Sequence, residues 1–109
     1  MATKIYRVRN TIDSIDTARM LGHAIVSTHA GVSVHIHEVE NIFGWEGKVS
    51  QIIEYELSIL CTHPDRIDKV IKNYSYYQIP ELIVDEISVK PDIEKWVTNW
   101  CKDYVEIKD

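Results

Sequence analysis

The sequence predicts an α+β domain of ferredoxin-like order, β-α-β-β-α-β with an added C-terminal helix, built on an antiparallel sheet. Three observations lead there. Apolar residues alternate with polar ones in separate runs, at Val32, Val34 and Ile36 and again at Tyr55, Leu57, Ile59 and Cys61. Spacings of three and four recur in other runs, at Ile15, Ala18, Leu21, Gly22 and Ile25 and at Ile67, Val70, Ile71 and Tyr74. With 109 residues, 45 % apolar and 27 % charged, the chain matches one folded domain over 1–109.

The first strand is expected over 4–9, where Ile5, Tyr6 and Val8 favour extended backbone. Asp13 and Ser14 then offer a helix N-cap, and the first helix runs to about Val26, with a break near Gly31. The second strand starts at Val32 and continues to Phe43, and the segment 44–48 turns the chain into a third strand that ends at Cys61. This hairpin is long for so small a domain, so its far end must project or find a partner. Thr62 is expected to cap the second helix, with Pro64 in its first turn and Asp65 at an early acidic position. Pro80 ends that segment, a fourth strand lies within 82–89, and Pro91 opens a third helix with a stripe of Ile93, Trp96, Val97, Trp100, Cys101 and Tyr104. The two helices between strands cover one sheet face. The open second face and the aromatic stripe predict burial by association between copies of the chain.

Composition narrows the function classes. A formal net charge of −5, with twelve Lys and Arg that form no block, gives little attraction for nucleic acid or anionic membrane. No apolar run follows the first residues, and two cysteines are too few for a disulfide framework, which points to reduced thiols in a cytoplasmic protein. No glycine-rich phosphate loop or nucleophile motif can be read among four glycines. Cys61 and His63 are neighbours in sequence, but one ends a strand and the other starts a helix, so the chain reads as a non-enzyme.

His35 and His37 stand two apart on a strand, hence on one face, and imidazoles suit a borderline divalent ion such as copper or zinc. Glu38, Glu40, Glu46, Glu54 and Glu56 make the hairpin acidic, which attracts cations weakly and equally well describes a solvated, charge-protected edge. Trp45, Tyr76, Tyr77, Trp96 and Trp100 are read first as core or interface and second as pocket lining.

The run from Ile42 through Phe43, Gly44, Trp45, Glu46, Gly47 and Lys48 to Val49 resembles the hairpin signature of the CutA family of divalent-cation tolerance proteins. Asp16 to Arg19, the segment Tyr77, Gln78, Ile79, Pro80, Glu81, and Pro91 with Asp92, Trp96 and Val97 resemble further family segments in the same order, so the likeness covers about 5–101. The resemblance implies a ferredoxin-like fold, a homotrimer like that of PII signalling proteins, and a link to copper and other divalent ions. It also carries over Trp45, Lys48, Tyr77 and Glu81 as lining of clefts between subunits, where a PII-like sensor would take a small ligand. The family's usual metal donors are missing: Asn10, Tyr74 and Ser75 stand at its cysteine and histidine positions, Tyr76 stands for a proline, and Ser33 replaces another cysteine.

Overall fold

A computed structural model describes residues 3–74 and 82–106. Its element order is β1 (Ile5–Ile12), α1 (Ile15–Ser27), β2 (Ser33–Trp45), β3 (Lys48–Cys61), α2 (Pro64–Tyr74), β4 (Ile83–Ile87) and α3 (Pro91–Cys101). The strands form one antiparallel sheet in the order β2-β3-β1-β4, the split βαβ arrangement predicted from the sequence.

One face of the sheet and the helices α1 and α2 share the larger core. Val8 and Ile12 of β1, Leu57, Ile59 and Cys61 of β3, Leu21 and Ile25 of α1 and Ile67, Val70 and Ile71 of α2 pack there with 2 % exposure or less. Burial of each such side chain stabilises the fold by roughly 1.5–3 kcal/mol. Ser14 caps α1 as expected, its hydroxyl accepting from the Thr17 N–H at 3.2 Å.

The second face is not wholly open. Ile5, Leu60 and Ile87 point away from α1 and α2, and they pack with Val32 against Val97 and Cys101 of α3 in a second, smaller core. α3 therefore covers one end of the face that the sequence leaves bare. Tyr104 lies beyond the end of α3, not on its stripe, and its ring sits under Arg66, with the guanidinium carbon 4.6 Å from the ring centre.

The end of α3 is clamped onto the end of α1. α1 closes in a Schellman motif, with Ala30 N–H donating to the Ile25 carbonyl and His29 N–H to that of Val26. His29 occupies the left-handed position of that motif, with φ of 64°, where glycine is usual. Its ring stacks on Trp100 with centroids 4.0 Å apart, and its Nδ1–H donates to the Trp100 carbonyl at 2.9 Å. The Trp100 indole N–H in turn donates to the Val26 carbonyl at 3.2 Å.

Other differences from expectation are local. β1 extends to Ile12 because Thr11 and Ile12 still find partners in Glu56 and Tyr55. The hairpin turns tightly, with β2 and β3 regular up to Trp45 and Lys48, so only Glu46 and Gly47 form the turn. Both have positive φ, 50° and 75°, as the twist of a two-residue hairpin demands. α2 starts at Pro64, which removes Thr62 from the cap position, and the Thr62 hydroxyl instead bonds His63 Nδ1 at 2.7 Å.

Two substitutions test this packing by urea unfolding. Trp100→Ala removes the stack and the indole bond from a half-buried ring and should cost about 2–3 kcal/mol, less than the ~3–5 kcal/mol of a fully buried aromatic. A Cβ on Gly31 would stand 2.7 Å from Ile59 Cγ2 and 2.8 Å from Ile25 Cγ2. Gly31→Ala should therefore destabilise by ~1–3 kcal/mol through overpacking, and a neutral result would contradict the tight approach.

Candidate functional site

The β2–β3 hairpin outruns the rest of the sheet. β1 pairs β3 only from Tyr55 to Cys61, so among the described residues 48–54 pair with β2 alone. In that extension Ile42, Trp45, Val49, Ile52 and Ile53 are 63, 53, 82, 38 and 49 % exposed. Strand alternation puts Ile52 and Trp45 on one face and Ile42, Val49 and Ile53 on the other, so both faces of the extension are apolar. Trp45 and Lys48 are direct cross-strand partners beside the turn, both exposed, and they present an indole and an ammonium together. Tyr77 and Glu81, the other two expected cleft residues, lie outside the described residues.

His35 and His37 fall where alternation places them, exposed and on one face of the edge strand β2, the face opposite α1 and α2. His35 faces Ser58 and His37 faces Glu56 across the ladder. Among the described residues no three His, Cys, Asp or Glu side chains gather as a metal-holding group. An ion held by this pair would take its remaining donors from elsewhere. Asn10 lies on the other face of the sheet, 2 % exposed among the core residues of β1 and β3, and a neutral carboxamide there is a poor donor for copper or zinc.

The acidic run on the hairpin is less solvated than its sequence implies. Glu54 is only 4 % exposed, and its carboxylate accepts from Asn41 Nδ2 across the strands; Glu40 accepts from Gln51 Nε2 at 2.6 Å. Sequence patterning could not reveal this, because the burial of Glu54 goes with its cross-strand bond to Asn41 and not with any apolarity of its own. Around the start of α2 the cysteines are buried, Cys61 at the end of β3 and Cys101 at the end of α3. Burial pushes the Cys61 thiol up to about 12, with nearby Cys101 adding to the effect, and burial raises Cys101 as well. Such a thiol stays protonated at neutral pH and is a poor nucleophile, whatever the proximity of His63.

Comparison with known proteins follows from this geometry. The family model described as CutA1 divalent ion tolerance protein matches residues 6–100. The chain belongs to the CutA1 family. Its fold is that of solved CutA structures: CutA1 from Oryza sativa is 24 % identical, with a TM-score of 0.84 over 91 % of this chain and 94 % of that one. The periplasmic divalent cation tolerance protein CutA from Archaeoglobus fulgidus is 16 % identical, with a TM-score of 0.85 over 89 and 98 % of the two chains. The divalent ion tolerance protein CutA1 from Ehrlichia chaffeensis is 13 % identical, with a TM-score of 0.84 over 93 and 98 %. No curated protein sequence gives a significant match. No helix of the described residues is long and apolar enough to cross a membrane.

The raised Cys61 thiol has a measurable consequence in this CutA1-family chain. The group ionises near 9.0 in the unfolded chain and near 12 in the fold, so its contribution to stability is fully present below about pH 9 and is lost as pH rises towards 12. The loss should approach about 1.4 kcal/mol per pH unit in that window. Comparison of the pH slopes of wild type and Cys61→Ala in denaturant melts isolates it, and identical slopes would show that the thiol is not sequestered.

Proposed function

We propose that the chain acts as a homotrimeric divalent-cation tolerance protein that binds divalent ions such as copper, and not as an enzyme. The observation that carries the assembled state is the hairpin extension, whose two apolar faces are exposed and which, among the described residues, consists of β2 and β3 alone. A two-stranded ribbon is marginal in water, and exposed apolar patches of this kind mark association surfaces. Three copies closing around a symmetry axis bury both faces at once. A reducing, cytoplasmic setting agrees with two buried free thiols.

For the metal, His35 and His37 are the donors of choice, since they share a face of the edge strand and a neighbouring subunit supplies further ligands. A second reading is favoured by the pairing of Trp45 with Lys48. An aromatic face beside a cation suits an anionic ligand with a planar group, as in a PII-like sensor whose subunit clefts also include Tyr77 and Glu81.

Sedimentation equilibrium at micromolar concentration is expected to give three times the chain mass, with Trp45→Glu shifting the population towards smaller species; a concentration-independent monomer would overturn the trimer. Chelator-stripped protein titrated with copper(II) should bind saturably and lose that binding in the His35→Ala, His37→Ala double variant. Tight binding that survives the double variant excludes the pair. No tight binding in either protein leaves the sensor reading in possession.

A further inference from the structure

α1 and the edge strand β2 enclose an open groove of about 310 Å³, lined by Arg19, Gly22, His23, Val26, Val34 and Ile36. It lies on the sheet face that α1 and α2 cover, and it shares no residue with the histidine pair or with the end of the hairpin. Gly22 makes the groove. A Cβ at that position would stand 3.6 Å from Val34 Cγ1 and 3.9 Å from Ile36 Cδ1, so the missing side chain leaves both residues half-buried beneath open space. The floor is apolar and branched, and Val26 extends it along α1.

The rim has a different character. Arg19 and His23 stand one helical turn apart on α1, on either side of the gap at Gly22, and both are exposed. Neither belongs to an ion pair among the described residues, where the cations engaged are Lys4, Arg9, Lys69 and Lys72. Asp16 on α1 and Glu38 on β2 come nearest to the lining residues in sequence, and they pair with neither. By contrast, the cavity of about 220 Å³ beside α2 has its lysines already engaged, Lys69 by Glu106 and Lys72 by Asp68.

We propose that the groove between α1 and β2 binds a small monocarboxylic acid with a short aliphatic tail. The guanidinium of Arg19 takes both carboxylate oxygens in its planar fork, and the His23 ring N–H offers a further donor. Val26, Val34 and Ile36 take the tail out of water. One permanent cation with one neutral donor balances a single negative charge. A phosphate dianion asks for more donors, and residues 19–26 lie past the first turn of α1, where backbone N–H groups are already bonded within the helix. The volume equals that of roughly ten waters at ~30 Å³ each, near the lower end of ligand sites, which begin at about 300 Å³. The inference does not depend on the divalent-ion reading, which concerns other residues and ligands of opposite charge.

The test titrates hexanoate into the isotope-labelled full chain and follows amide chemical shifts. Saturable shifts are expected at Gly22, His23, Val34 and Ile36. Acetate, which lacks the tail, and hexylamine, which reverses the charge, should each bind at least about tenfold more weakly, as loss of a few buried methylenes or of the charged bond requires. Arg19→Gln alters only an exposed side chain, so the fold should persist while hexanoate weakens by about tenfold or more, the scale of a lost hydrogen bond to a charged group. Absence of saturable shifts in wild type, equal binding of acetate or hexylamine, or unchanged affinity in Arg19→Gln would each overturn the site. Tighter binding of hexyl phosphate than of hexanoate would overturn the choice of a carboxylate.

Discussion

The two-residue turn at Glu46 and Gly47 is the constraint on which the rest depends. It fixes the register of β2 against β3 along all 13 residues of β2, and register decides which side chains face the helices. A slip by one residue would move Val34 and Ile36 out of the core side and carry His35 and His37 into it. The same turn sets how far the hairpin runs beyond β1, and so creates the apolar ribbon that the described residues leave exposed. Glu46 accepts a left-handed backbone for this purpose, a conformation that costs a non-glycine residue roughly 1–2 kcal/mol.

The second organising contact is the clamp between the ends of α1 and α3. Burial alone would hold α3 loosely, since the small core beneath it rests on few side chains. His29 and Trp100 convert that loose packing into a fixed position through their ring stack and two hydrogen bonds to carbonyls at the ends of the two helices. Without it, Cys101 would have no fixed place relative to β3, nor Arg66 a carbonyl to bind.

Much of the fold was legible because the residues that define it obey simple periods. Leu57, Ile59 and Cys61 alternate, Leu21 and Ile25 repeat at helical spacing, and Ser14 announces a helix start. The hairpin residues around Trp45 and Lys48 were legible through family resemblance and pattern together. What stayed hidden depends on contacts between distant segments. Nothing local to Trp100 says that it meets His29, and Thr62 reads as a cap until the position of Pro64 assigns α2 a later start. Glu54 reads as a solvated strand residue, yet it is buried in the ladder. His35 and His37 were placed correctly on one face by alternation alone, although their exposure needed the edge position of β2.

The strand order also bears on how the chain is made. β1 lies inside the sheet, yet one of its two neighbours, β4, is written near the other end of the sequence, with Ile5 paired to Ile87. During synthesis β2 and β3 can close on each other as soon as their turn emerges, and β3 can then recruit β1. The far side of β1 has no strand to bond until β4 leaves the ribosome, and α3 can cap its own end of the sheet only after that. A nascent chain thus carries an unpaired strand flank through most of its elongation, a template for mispairing with a neighbouring chain on the same polysome. The charged pairs that face each other across that flank, Lys4 with Glu86 and Arg9 with Asp85, favour the proper partner when it arrives.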